Sequence, residues 1–142
     1  MDEARTGPTW LGKPEIAAIV QAALNYTADH LHYYDLSAWV IMHNHVHMLV
    51  WPLTPCPKFM KTLKGFTARE ANKLLGRTGE PFWQHESYDH WVRGQEEFNR
   101  IVSYIECNPV RAGLCRTPEE YPWSSAYRGA SLRLATPAFV PA

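Results

Sequence analysis

Two histidines, His45 and His47, stand at alternate positions in an apolar stretch of the chain. If residues 45–50 form a β-strand, side-chain alternation puts both imidazoles on one face of a sheet, roughly 6 to 7 Å apart. That spacing suits two ring nitrogens that share one cation, because neutral imidazole is a common metal ligand. The alternative is a packed pair whose ring nitrogens bond to other protein groups. Spacing alone leaves both interpretations open.

The ligand types give a first indication of the metal. Imidazoles alone favour Zn²⁺ or another transition ion, because Mg²⁺ prefers oxygen. His43 is a weaker candidate ligand, since His43-Asn44 falls where a turn is expected and its side chain need not share the face of the other two.

A tyrosine, Tyr104, lies in a stretch with helical periodicity over residues 95–107. Tyr104 falls on the flank of the apolar stripe, and Asn108 follows one turn later on the same side. The Asn108-Pro109 pair predicts the end of the helix. A tyrosine at such a boundary is ordinarily a packing residue, so its position alone assigns no chemistry. The stripe itself has the spacing i, i+3, i+4, i+7 and consists of Phe98, Ile101, Val102 and Ile105.

Residues 58–75 also have helical periodicity and carry a local excess of basic side chains against one acid, Glu70. A solvated helix face explains such a pattern, and so does a surface that contacts phosphates. The basic residues are Lys58, Lys61, Lys64, Arg69 and Lys73.

The surrounding elements predict an α+β domain. An amphipathic helix is expected over residues 14–30, followed by two antiparallel strands over residues 33–42 and 45–51. Residues 39–42 are apolar on both faces, which predicts a central strand. A further strand is predicted near residues 89–93, and irregular structure packed on the core is predicted over residues 117–127. We expect residues 1–142 to form a single domain, with residues 1–12 and 130–142 as loose ends.

Composition narrows the class of protein. Fourteen basic and fourteen acidic residues give a net charge of zero, which argues against nonspecific coating of nucleic acid but allows a local basic patch. Three cysteines without a Cys-x-x-Cys pair predict reduced thiols in a cytosolic protein. No apolar run approaches the roughly 20 residues needed to span a bilayer, and no apolar signal segment follows the N-terminus.

Two motifs, taken together and in this order, carry a resemblance to a known family. The first is the apolar run 38–42 followed by Asn44-His45-Val46-His47, and the second is residues 101–114, Ile-Val-Ser-Tyr-Ile-Glu-Cys-Asn-Pro-Val-Arg-Ala-Gly-Leu. Over residues 7–127 the chain resembles the REP-associated tyrosine transposases, which belong to the HUH single-tyrosine transposase superfamily. The resemblance implies a ferredoxin-like α+β domain, an antiparallel sheet with helices packed on one face.

The resemblance also implies roles for single residues. His45 and His47 would hold a divalent metal, Asn108 would be its third ligand, and Tyr104 would be the nucleophile. Family precedent favours Mg²⁺ or Mn²⁺ and no nucleotide cofactor. The implied reaction is cleavage and rejoining of single-stranded DNA next to hairpins through a 5′-phosphotyrosine, in the bacterial cytoplasm and at the nucleoid, by a monomer or homodimer. The candidate DNA-contacting residues are Lys58, Lys61, Lys64, Arg69, Lys73, Arg93 and Arg111.

The chain departs from the family pattern in two places. Family members carry a further strand and helix before the segment that resembles residues 7–29, so we expect the sheet here to lack an edge strand. His43 stands where the family has proline. Two other hypotheses remain: a noncatalytic protein that binds DNA hairpins, and a structural domain in which the histidines hold Zn²⁺.

Overall fold

The computed structural model describes residues 8–83 and 90–129. Within those ranges three helices accompany a two-stranded antiparallel sheet, which confirms the α+β class. The elements are α1 (Pro14–Asp29), β1 (Tyr34–Ile41), β2 (Val46–Pro52), α2 (Cys56–Leu75) and α3 (Gln95–Arg111), with short 3₁₀ turns at Trp10–Gly12 and Pro118–Glu120. None of these helices is long and apolar enough to cross a membrane.

The two strands pair so that Val40 lies opposite His47. The register shifts between Leu36 and Ala38, where Ser37 is the extra residue of a β-bulge. Because the bulge breaks the alternation, Leu36 before it and Trp39 after it both pack into the same core cluster. A strict period of two would have put these side chains on opposite faces.

Helices cover both faces of the sheet. On one face Ile41 and Met48 pack in the cluster that also holds residues of α1 and α2. On the other face Val40 and Leu49 pack with Ile105 of α3. The expectation that all helices pack on one face is therefore wrong. The physical reason is that both faces of the strands are apolar, so each face needs its own cover.

The second edge of β1 is covered by residues 121–125, so β1 is central as expected. The backbone N–H of Ile41 donates to the carbonyl of Trp123 at 2.8 Å, and the N–H of Ser125 donates to Trp39 at 2.9 Å. The buried Tyr121 hydroxyl donates to the Ile41 carbonyl at 2.7 Å, and burial raises the pKa of Tyr121 to about 12. This irregular segment packs on the core, which confirms the prediction for residues 117–127.

Helix α3 does not end at Asn108-Pro109 as predicted but continues to Arg111. Proline lacks the N–H that would bond to Ile105, and it costs the helix one hydrogen bond. The Pro109 ring is fully buried, and the N–H of Leu114 closes the last turn on the Pro109 carbonyl at 2.9 Å. Packing of the ring and this closing bond offset the missing one.

Two further expectations differ from the structure. Residues 90–93 form no strand; the backbone N–H of Arg93 donates instead to the Glu97 carboxylate in the first turn of α3 at 2.6 Å. Residues 10–12, expected to be loose, pack instead: Leu11 is buried, and Trp10 stacks on Phe82 with ring centroids 5.3 Å apart. Asp89 and the expected loose ends at residues 1–7 and 130–142 lie outside the described residues. The assignment of residues 1–142 to one domain stays a prediction.

Candidate active site between the sheet and helix α3

His45 and His47 come together at the start of β2. Their ring centroids lie 4.8 Å apart with the ring planes 85° to each other. His47 follows the side-chain alternation of β2 and shares its face with Leu49, which packs in the α3 cluster. The prediction that both imidazoles point the same way is confirmed, and the face they share is the one that α3 covers.

The neighbouring residue Asn44 fixes the orientation of the first ring. His45 Nδ1–H donates to the Asn44 side-chain oxygen at 2.8 Å. Because an amide oxygen only accepts, the proton of the neutral ring sits on Nδ1 and the lone pair on Nε2. Hydrogen bonds of this kind orient histidine ligands in metal sites. The sequence predicts only a turn at Asn44, although its position directly before His45 is a signal of this contact.

Tyr104 reaches the same place from α3. Its ring centroid lies 5.8 Å from that of His47, with an angle of 79° between the planes. The side chain is 40% exposed, so it lies at the edge of the apolar stripe, as the helical spacing predicted. Helix α3 thus brings a phenol beside the imidazole pair and leaves it accessible from solvent.

Arg111 contacts both the ring and the backbone of Tyr104. Its guanidinium stacks over the Tyr104 ring at 4.2 Å and donates a hydrogen bond to the Tyr104 carbonyl at 2.8 Å. The two residues are seven positions apart and therefore share a helix face. The resemblance implies DNA contact for Arg111 but not this interaction with Tyr104, which depends on α3 continuing past Pro109.

The candidate metal site has few donor side chains for a divalent ion. The described residues contain no group of three His, Cys, Asp or Glu side chains that could hold a metal. Asn108 is half-buried and lies one turn beyond Tyr104 on α3, so its role as a third ligand beside the two imidazoles stays a prediction. Two imidazoles with the Asn108 amide oxygen would fit a cation that takes its remaining ligands from phosphate oxygens and water. Such a set does not by itself distinguish Mg²⁺ or Mn²⁺ from Zn²⁺.

The basic residues of α2 lie elsewhere. Lys58 stacks over Tyr33 at 5.0 Å, and Lys73 pairs with Glu70 at 3.2 Å. Lys61 and Arg69 are exposed, whereas Lys64 is half-buried. Since α2 packs on the sheet face opposite to α3, the structure does not bring these side chains together with Tyr104. Their role in DNA contact stays a prediction, as does that of the exposed Arg93.

A family model described as "Transposase IS200 like" matches residues 13–108. The chain belongs to this family. The matched range includes His45, His47 and Tyr104, whose rings lie next to one another on one side of the sheet. It also includes Asn108, which lies on α3 one turn after Tyr104.

Two individual proteins are also similar to the chain. A REP-associated tyrosine transposase from Escherichia coli (strain K12) is 25% identical over 100 residues, which cover 67% of this chain and 56% of the relative. The chain therefore spans just over half the length of that relative. A solved structure of a REP-associated tyrosine transposase bound to a REP hairpin matches with a TM-score of 0.66 at 21% identity, over 85% of this chain and 70% of the other. These matches confirm the resemblance to REP-associated tyrosine transposases, and the second shows the fold.

Proposed function

We propose that this protein cleaves and rejoins single-stranded DNA next to hairpins, with Tyr104 as the nucleophile and a divalent metal held by His45, His47 and Asn108. The observation that carries the proposal is the Tyr104 ring beside His47, 5.8 Å between centroids, with the His45 ring next to it. Two elements far apart in sequence supply these groups, and the sheet packing brings them to one place.

The chemistry follows from these groups. A bound divalent ion would neutralise charge on the nonbridging phosphate oxygens and orient the phosphorus for in-line attack. The Tyr104 oxygen forms a bond to phosphorus while the bond to the 3′ oxygen of the upstream nucleotide breaks. The phenol gives up its proton to solvent, to which the side chain is open, and the leaving 3′ oxygen takes a proton from solvent. The products are a 5′-phosphotyrosine and a strand with a free 3′-hydroxyl.

The covalent product explains why such a site suits strand transfer. The phosphotyrosine keeps the energy of the broken phosphodiester, so the 3′-hydroxyl of another strand can reverse the step and form a new junction. Simple hydrolysis would lose that energy. The structure match to a transposase bound to a REP hairpin supports hairpin DNA as the substrate class.

The test is covalent capture. The protein is incubated with a labelled oligonucleotide that carries a hairpin and a single-stranded flank, in the presence of Mn²⁺. We expect an adduct resistant to SDS with the wild type and none with Tyr104→Phe. Tyr26→Phe is the matched control, since Tyr26 is an exposed tyrosine on α1. An adduct that persists in Tyr104→Phe would show that another residue is the nucleophile.

A noncatalytic hairpin-binding protein is the second candidate, favoured by the exposed basic side chains of α2. It predicts binding that weakens with salt and no adduct with Mg²⁺, Mn²⁺ or Zn²⁺. Hairpin binding by the wild type without any adduct in the same experiment would select this candidate.

A further inference from the structure

We infer that the groove along α3 beside Tyr104 is a phosphate-binding subsite for the DNA strand, with Arg100 and Arg111 as its cationic groups. The inference rests on the proposed function, because it assigns the groove to the same strand that Tyr104 attacks. The groove is open to solvent and is also lined by His90, Glu97 and Ser103.

Arg111 is a cation whose position is set by the protein. The stack on Tyr104 at 4.2 Å and the hydrogen bond to its carbonyl hold the guanidinium in one place. A guanidinium has five N–H donors, and the bond to the carbonyl uses one of them. The planar fork matches two phosphate oxygens, and a group held in place loses less freedom when it binds.

Arg100 lies one turn before Tyr104 and lines the same groove. Its side chain is 66% exposed and lies 4.0 Å from Glu96, which is itself 93% exposed. An exposed pair at that distance is weak, so Arg100 can turn to an incoming phosphate at little cost. The two guanidiniums therefore border the nucleophile from both directions along the helix.

The acidic residue of the groove does not cancel this charge at the nucleophile. One oxygen of Glu97 accepts a hydrogen bond from His90 Nε2 at 2.7 Å, and the other accepts from the Arg93 N–H at 2.6 Å. These hydrogen bonds, that of His90 first, lower the pKa of Glu97 and hold its carboxylate toward residues 90–93. The groove beside Tyr104 keeps a positive excess and the exposed Ser103 hydroxyl, in a protein with no net charge.

The charge of Arg100 and Arg111, and their position beside Tyr104, favour a phosphate as the ligand. When one phosphate of a strand lies at Tyr104 for attack, the phosphate of the adjoining nucleotide must lie within one nucleotide length of it. The groove offers the Arg111 guanidinium, which is held against Tyr104, and the exposed Arg100 guanidinium one turn before it. Contacts to backbone phosphates position a strand without reading its bases, which suits a group next to the reacting bond.

The test measures binding separately from cleavage. In a Tyr104→Phe background the DNA stays intact, and Arg100→Gln, Arg111→Gln and the double variant are titrated with a labelled hairpin oligonucleotide at several salt concentrations. The control is Arg116→Gln, an exposed arginine paired with Glu120 outside the groove. We expect each single groove variant to lower the magnitude of the slope of log K against log salt by about 0.7, the value for one single-strand phosphate contact, and the double variant to lower it by about 1.4. Arg116→Gln should keep the slope.

Uncharged linkages in the DNA backbone then identify which phosphate contacts the groove. Single methylphosphonates are placed in turn along the single-stranded flank of the oligonucleotide. One of them should weaken binding to the Tyr104→Phe protein but leave binding to the Arg100→Gln, Arg111→Gln double variant unchanged. The inference is wrong if both groove variants bind like Arg116→Gln, or if no linkage distinguishes the two proteins. A wild type that forms no adduct while the groove variants lose affinity would refute the proposed cleavage and keep the phosphate subsite.

Discussion

The hydrogen bond from His45 to Asn44 decides which ring nitrogen faces the candidate metal site. With the Nδ1 proton held by the Asn44 oxygen at 2.8 Å, the neutral ring presents the Nε2 lone pair. Without that acceptor the ring loses the hydrogen bond that sets its tautomer, and a changed tautomer weakens a ligand. If His45 is a metal ligand as proposed, Asn44 acts on the site by orienting the His45 ring and need not touch the cation.

We predict that Asn44→Ala lowers the affinity for Mn²⁺ by roughly 10- to 100-fold, the usual effect of removing a partner that orients a histidine ligand. Isothermal titration of the purified protein with Mn²⁺ measures this directly. His43→Ala is the control, because His43 is exposed and its ring packs against Gly12 of the 3₁₀ turn. Equal affinities for Asn44→Ala and the wild type would show that Asn44 does not orient a ligand.

At the scale of the elements, local periodicity was enough to locate all three helices and both strands in the described ranges. The apolar stripe of α3 and the alternation of β2 are properties of short stretches, and they fixed the faces of Tyr104 and His47. The bulge at Ser37, the continuation of α3 through Pro109 and the packing of helices on both sheet faces were not predicted. Each depends on partners distant in sequence, which periodicity does not reveal.

The candidate site also has a part that the sequence predicts and a part that it does not. Spacing along one element gave the His45–His47 pair and the position of Asn108 on the side of Tyr104, whereas only the family resemblance joined these to one another. The stack of Arg111 on Tyr104 needed the extra turn of α3 after Pro109, and the sequence had predicted the end of the helix there. A proline that is buried in a helix cannot be distinguished locally from one that ends it.

The segment 121–125 covers the second edge of β1, and the Tyr121 hydroxyl donates a hydrogen bond to the Ile41 carbonyl there. Removing that hydroxyl measures how much this hydrogen bond contributes to the stability of the fold. We predict that Tyr121→Phe lowers the free energy of unfolding by about 1 kcal/mol at pH 7, measured by urea denaturation. Burial raises the pKa of Tyr121 from 10.0 to about 12, so the unfolded chain ionises this phenol first as pH rises. The stability due to the neutral phenol is complete below pH 10 and is lost as pH rises through 12.

The difference between wild type and Tyr121→Phe should accordingly shrink as pH rises from 10 toward 12. Tyr26→Phe serves as the control, since Tyr26 is 54% exposed on α1 and should show neither effect. A difference between wild type and Tyr121→Phe that stays constant across that range would argue against a buried, neutral Tyr121 in the folded protein.

Across the whole molecule the net charge is zero, but the basic side chains are unevenly distributed over the surface. Exposed cations of α2 lie on one side of the sheet, and Tyr104 with Arg100 and Arg111 lies on the other. A DNA hairpin with a single-stranded flank has two parts, and the two sides of the protein can contact different parts of it. Salt dependence reports such local contacts rather than the total charge, because each neutralised phosphate releases its own counterions.

We predict that changing three exposed residues of α2, Lys58, Lys61 and Arg69, to glutamine lowers the salt slope for hairpin DNA by roughly 2 to 3, at about 0.7 to 0.9 for each contact. The control changes Lys13, Arg116 and Arg128 to glutamine, three other exposed cations, so that both proteins carry the same total charge. Fluorescence anisotropy at several salt concentrations gives both slopes. If DNA contact is localised on α2, the control keeps the slope of the wild type; equal losses in the two variants would mean that only the overall charge matters and that α2 is a solvated face.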